Sequence, residues 1–170
     1  MEILGHFSTN VVRALEEIEP NYEHFDGLVV CGTHSPKDLN LEEIIEKIRQ
    51  AREKGKPFLG ICFGHQLAAI EYARNVLGNV HATSEEFGEE GDFIVYKLPK
   101  LKVGLYRTNR MRLDSEEESY WNNYEVREEF LSMWNKPEHF ISVQYHPEYQ
   151  SSKDKPHKVL TQFIALCKKN

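Results

Sequence analysis

The stretch that most constrains this chain is Pro57-Phe58-Leu59-Gly60-Ile61-Cys62-Phe63-Gly64-His65-Gln66. An apolar run ends in a glycine, one reactive side chain follows, and a second glycine opens a helical pattern. This is the layout of a nucleophile elbow, with cysteine where G-x-S-x-G carries serine. Gly60 and Gly64 flank Cys62 because a tight strand-to-helix turn leaves no room for Cβ atoms there. The turn sets the Cys62 sulfur at the carboxyl end of a strand and the N-terminus of a helix. Unpaired N–H groups and the helix dipole there favour the thiolate. Taken alone, the pattern equally suits a buried cysteine in any strand-turn-helix, so the remaining chain has to decide.

Around this elbow the chain alternates strand and helix. Glu2–Phe7 reads as a short strand, and Val11–Ile18 as a helix or a second strand that Pro20 ends. Asp26-Gly27-Leu28-Val29-Val30-Cys31-Gly32 is a β-branched run between turn residues, the mark of a buried parallel strand. After a loop over Thr33–Leu39, Asn40 stands as N-cap to a helix whose Leu41, Ile44, Ile45 and Ile48 share one face, and Gly55 closes it. The elbow strand follows, then a helix from Gly64 to Val76. Right-handed crossovers and a parallel sheet covered on both faces are expected, with ligands beyond the carboxyl ends of the strands. Phe93–Lys97 and Lys102–Tyr106 alternate like a half-exposed antiparallel extension, and Asp114–Glu118 reads as a solvated loop. Phe140–Tyr145 is a further strand; Val159, Leu160, Phe163, Ile164 and Cys167 stripe a last helix. A single domain over 1–170 is expected.

Composition narrows the function classes. A net charge of −6 argues against nucleic-acid or anionic-membrane partners. No apolar run reaches membrane-spanning length and no leader pattern opens the chain, so a cytoplasmic location is expected. Three scattered cysteines, Cys31, Cys62 and Cys167, suit neither a disulfide framework nor a zinc site; no metal or cofactor is expected.

A cysteine nucleophile needs a base, and the base needs an orienting group. His146-Pro147-Glu148 stands just after the last strand. In extended backbone, residues two apart share a side, so Glu148 can hold one imidazole nitrogen while the other addresses Cys62. A surface histidine beside a surface carboxylate is the plain alternative. Two such elements at carboxyl ends of strands favour a Cys62/His146/Glu148 triad. Acyl transfer also requires oxyanion donors: the N–H of Phe63 and one from Gly32-Thr33. The chemistry is cleavage of an amide or ester through a thioester; the acyl group is left open.

Gly60-Ile61-Cys62-Phe63-Gly64-His65-Gln66 and Gln144-Tyr145-His146-Pro147-Glu148-Tyr149 together resemble the class I (triad) glutamine amidotransferases. The resemblance extends to the glutaminase domain of CTP synthase through Ala69–Val76, Ala82–Phe87, Met111-Arg112-Leu113, Tyr124-Glu125-Val126 and Ser151-Ser152 to His157. It implies a flavodoxin-like three-layer α/β/α fold, mostly parallel and abbreviated at the N-terminus. It also implies hydrolysis of glutamine to glutamate and ammonia, which is supplied to a separate ATP-dependent synthetase. Residue by residue it implies Cys62 as nucleophile, His146 as base and Glu148 as its orienter. Gln66 and Glu86 fall at positions gripping the glutamine backbone, Glu86 by facing the α-ammonium.

Two stretches depart from the family. Its Pro-Gly-Gly-rich oxyanion loop is here Val30-Cys31-Gly32-Thr33-His34-Ser35. Its basic stretch before Tyr-Glu-Val is here Tyr120-Trp121-Asn122-Asn123, leaving Asn123, or Arg107, Arg110 or Arg112, to meet the substrate carboxylate. Trp121 is either a core residue or a flat wall for a ring. The departures keep two further readings open: a hydrolase of another γ-glutamyl amide, and a non-catalytic regulatory module on this fold.

Overall fold

The computed structural model describes residues 1–88, 90–107, 117–132 and 138–169. Its centre is a four-stranded, all-parallel sheet in the order β1-β2-β3-β7. These strands are β1 (Glu2–Leu4), β2 (Leu28–Val30), β3 (Phe58–Ile61) and β7 (Phe140–Val143). Period-two alternation splits their side chains between two cores. Val29, Leu59, Ile61, Ile141 and Val143 pack with helices α1 (Ser8–Ile18) and α5 (Lys158–Cys167). Leu28, Val30, Phe58 and Phe140 pack with α2 (Leu41–Lys54) and α3 (Phe63–Asn75). Burial on both faces explains why these strands read as continuous apolar runs. The result is the expected three-layer α/β/α architecture.

Several local expectations hold in detail. Val11–Ile18 is helical rather than extended, with Val11, Ala14 and Leu15 buried. The Asn40 side chain accepts from the N–H of Glu43 at the start of α2, and Gly55 ends that helix in the left-handed conformation at φ +70°. One expectation fails in part. β1, β2 and β3 lie side by side in chain order, while α1 and α2 cover opposite faces. The two crossovers therefore have opposite hands, and the right-handed rule holds for only one of them.

The second sheet orders β4 (Ala82–Ser84), β5 (Asp92–Arg107) and β6 (Glu117–Val126). The segments read as two strands form one, β5, whose pairing with β6 is antiparallel and shifts register between Lys97 and Lys102. The solvated-loop reading of Asp114–Glu118 needs correction where it can be seen. Glu117 and Glu118 belong to β6, and Glu118 is buried with its carboxylate on His157 Nε2 at 3.1 Å. A buried cationic or hydrogen-bonding partner, supplied by the fold, is what lets a carboxylate leave solvent. Asp114–Glu116, Arg110 and the Met111-Arg112-Leu113 motif lie outside the described residues. A short helix α4 (Glu128–Ser132) precedes β7.

Candidate active site

The elbow is formed as its glycines require. Cys62 sits between β3 and α3 at φ +53° and ψ −100°, and among the described residues it alone of the non-glycine residues has positive φ. Such backbone strain persists only when the surroundings over-determine it. Here the Cys62 N–H donates to the Val143 carbonyl at 2.8 Å, and the Cys62 carbonyl accepts from the N–H groups of His65 and Gln66. A Cβ on Gly64 would stand 2.0 Å from the Val30 carbonyl oxygen, and one on Gly60 2.8 Å from the Gly64 oxygen. The close approach of α3 to the sheet thus excludes any side chain at either position.

His146 and Glu148 meet as expected, by another route. Pro147–Tyr149 is a 3₁₀ turn rather than extended strand, and within it His146 Nδ1 lies 2.7 Å from Glu148 Oε1. The backbone is pinned from two sides: the His146 N–H donates to the Ser119 carbonyl of β6, and Arg13 of α1 donates to the Glu148 carbonyl. Both side chains are almost fully buried. With Nδ1–H committed to a carboxylate, the tautomer leaves Nε2 facing away from Glu148; it is buried with no hydrogen-bond partner among the described residues. Burial disfavours the imidazolium, but the neighbouring Cys62 and Glu148 outweigh it and push His146 up to about 10. Tyr149 stacks on the imidazole, ring centroids 4.9 Å apart and planes 14° from parallel.

A cavity of about 230 Å³ opens over this group. Cys62, Phe63, His146, Thr33, Gln66, Glu86 and Asn123 all line it, so seven of the nine residues singled out from the sequence face one space. Gly32 and Glu148 stand behind it. A Cβ on Gly32 would lie 3.2 Å from His146 Cε1, so this glycine backs the imidazole. The N–H groups of Gly32, Thr33 and Phe63 have no partner among the described residues. The Thr33 hydroxyl is held by His6 and accepts from the Ser35 N–H. Gln66 donates to the Tyr124 carbonyl at 2.9 Å, which leaves its side-chain oxygen free of that bond. Glu86 is half-buried, and burial raises its carboxyl to about 7. No cation faces it among the described residues.

Other lining residues went unread in the sequence. Phe7 and Leu101 join the cavity from separate elements with no local pattern to mark them, while His34 and Tyr149 come from the loop after β2 and the His-Pro-Glu-Tyr motif. Gln144, which contacts Cys62 without lining the cavity, was legible in principle. It lies two residues before His146, and its Nε2 approaches Cys62 Sγ at 3.8 Å. Trp121 is 56% exposed with its ring stacked toward Phe7, which makes it a wall of the cavity rather than core. Among the described lining residues there is no lysine or arginine; Arg107 lies on the exposed part of β5. Among the described residues no histidine, cysteine or carboxylate group is arranged to hold a metal, and no helix is long and apolar enough to cross a membrane. Cys31, Cys62 and Cys167 are all free thiols.

The family model for class I glutamine amidotransferases matches residues 4–166. Among curated relatives, a CTP synthase of Methanoculleus marisnigri is 32% identical over 184 residues, covering 85% of this chain and 34% of the relative. A CTP synthase of Methanoregula boonei is 31% identical, covering 91% of this chain and 36% of the relative. The chain thus spans about a third of the length of these relatives. Among solved structures, the glutaminase domain of Trypanosoma brucei CTP synthase with bound acivicin superposes with a TM-score of 0.80 at 19% identity, covering 99% of this chain and 93% of that one. That likeness places the fold. The family match rests on the sequence from one end of the sheet to the other, and on it the chain belongs to the class I glutamine amidotransferases.

Proposed function

We propose that the chain hydrolyses the side-chain amide of glutamine, with Cys62 as nucleophile, His146 as general base and acid, and Glu148 as its orienter. The observation that carries this reading is the 2.7 Å bond between His146 Nδ1 and Glu148 Oε1 in the same cavity as the strained elbow cysteine. The Cys62 sulfur attacks the amide carbon while His146 Nε2 holds its proton. That proton passes to the departing nitrogen, ammonia leaves, and a thioester remains. Water, deprotonated by His146, then releases glutamate and the free thiol. The N–H groups of Phe63 and of Gly32 or Thr33 receive the negative charge on the carbonyl oxygen, a contribution worth about 3–4 kcal/mol per donor in hydrolases of this type. Gln66 and Asn123 address the substrate backbone, and Glu86 faces its ammonium. Binding an ammonium supplies the cation that burial denies Glu86, and so restores its carboxylate form.

In this reading the ammonia goes to an ATP-dependent synthetase, in keeping with relatives that are CTP synthases of roughly three times the matched length. The test is ammonia and glutamate release by wild type and Cys62→Ala, with and without a candidate synthetase. Equal background rates in both proteins under both conditions would overturn the proposal.

A second substrate reading has its own observation. The exposed Trp121 ring flanks the cavity opening with Phe7. A γ-glutamyl amide bearing a flat substituent suits such a wall. Turnover of γ-glutamyl anilides no faster than that of glutamine would exclude it. The non-catalytic reading predicts that Cys62 resists labelling by a glutamine-mimicking electrophile.

A further inference from the structure

One polar side chain in the site has no part in the reaction described above. Gln144 Nε2 stands 3.8 Å from Cys62 Sγ, within reach of a hydrogen bond to the large sulfur atom, while its Oε1 is buried with no partner among the described residues. A buried acceptor left unpaired is costly. The contact the amide does make is at its nitrogen, which faces the elbow cysteine. The sulfur also contacts the Trp121 carbonyl, at 3.8 Å. A carbonyl accepts from a thiol, but it repels a thiolate. Once the proton has moved to His146, the Gln144 N–H is a second side-chain donor, beside the imidazolium N–H, to meet the charge on sulfur. Chain geometry agrees, since β7 ends at Val143 and Gln144 and His146 lie two residues apart at its carboxyl edge.

We propose that Gln144 is a catalytic residue, whose amide N–H donates to the Cys62 thiolate and holds the sulfur in place as His146 exchanges protons with it. The proposal rests on Cys62 being the nucleophile of the reaction above. It adds a second side chain to the one, His146, already assigned to the sulfur. The titratable groups facing the sulfur are His146, backed by Glu148, and Tyr149, and all three are left intact by the test.

The test is the rate of alkylation of Cys62 by iodoacetamide between pH 5 and 9 in the full chain. The label is located by mass spectrometry, because Cys31 and Cys167 are also free thiols, both buried. Wild type is compared with Gln144→Met, which keeps the volume and loses the donor, and Gln144→Glu, which keeps the shape and presents only acceptors when ionised. The pH midpoint of labelling is expected to rise by about one unit in Gln144→Met. Below the midpoint the thiolate fraction then falls about tenfold and the more basic sulfur regains about threefold in reactivity, a net slowing of about threefold. Gln144→Glu should be slower still, and it carries the test by itself should the methionine variant fail to fold. Below the wild-type midpoint, unchanged or faster labelling in the variants would overturn the proposal. Because alkylation reads the sulfur directly, slowed labelling in a chain that hydrolyses no amide would sink the functional reading and leave only the contact between the Gln144 N–H and the sulfur standing.

Discussion

Gly32 lies directly behind the imidazole of His146: a Cβ added to it would stand 3.2 Å from His146 Cε1 and 3.0 Å from the Phe7 ring. The loop after β2 therefore does two things. It presents unpaired N–H groups at the cavity, and it sets how far the imidazole can retreat from Cys62. In Gly32→Ala the methyl has to push the ring or Phe7 by a few tenths of an ångström. Misplacement on the ångström scale costs on the order of a hundredfold in rate, so kcat is expected to fall about tenfold with KM little changed. Steady-state kinetics check this; a rise in KM with kcat unchanged would place Gly32 in substrate binding instead.

The His146–Glu148 pair gives a signature in stability. The imidazolium is favoured up to about 10, well above the ordinary histidine value near 6.5. Its stabilising contribution is therefore complete below about pH 6.5 and is lost as pH rises through about 10. Urea unfolding of wild type and His146→Asn across pH 6 to 10 should show the gap between them shrinking as pH rises. Parallel curves would mean that the histidine is neutral in the folded protein.

Glu86 carries the opposite cost. Its carboxyl is raised to about 7 by burial, so the folded state holds its proton more tightly than the unfolded chain does. Stability from this group is lost as pH rises from about 4.5 to about 7. Glu86→Gln should accordingly be more stable than wild type at pH 8, and equal to it at pH 4. The same titration governs substrate: KM for glutamine should fall several-fold from pH 6 to pH 8 in wild type, and should be high and flat in the variant. A pH-independent wild-type KM would remove Glu86 from ammonium recognition.

Gly64 tests the elbow itself. With the Val30 carbonyl 2.0 Å from where a Cβ would stand, α3 has to move off the sheet to admit even a methyl. Overpacking of this kind costs about 3 kcal/mol or more. Thermal melting of Gly64→Ala should show a drop of several degrees or failure to fold; a melting curve like wild type would mean that the helix–sheet spacing is looser than described.

Away from the site, Glu71 of α3 is fully buried and held by Arg52 of α2, with Nη2–Oε1 at 2.7 Å and Nε–Oε2 at 3.0 Å. Removing one partner strands the other charge, at a cost of about 3–5 kcal/mol. Arg52→Ala is expected to lose that much by urea unfolding, and Arg52→Met/Glu71→Leu to recover most of it. Equal losses in the single and double variants would show that packing, not the stranded charge, sets the cost.

Features carried by neighbours along the chain are legible from the residues alone. The elbow is legible as Gly60 and Gly64 flanking Cys62, although the Val30 carbonyl of distant β2 is what bars a side chain at Gly64. The parallel strands and the α2 cap were equally legible, since burial on both faces writes itself as unbroken apolar runs and Asn40 bonds only three residues ahead. His146-Pro147-Glu148 was legible for the same reason, although a 3₁₀ turn and not an extended strand brings its side chains together. What only the tertiary structure decided is everything set by distant backbone. Glu118 left its expected solvated loop because His157, thirty-nine residues on, came to meet it. Trp121 became a wall because β6 carries it to Phe7, and Gly32 became the backing of His146 because β2 and β7 flank β3. Spacing along a chain fixes which side chains can share a turn; which carboxylate is desolvated, and which amide faces the sulfur, depends on surfaces that exist only once the sheets have packed.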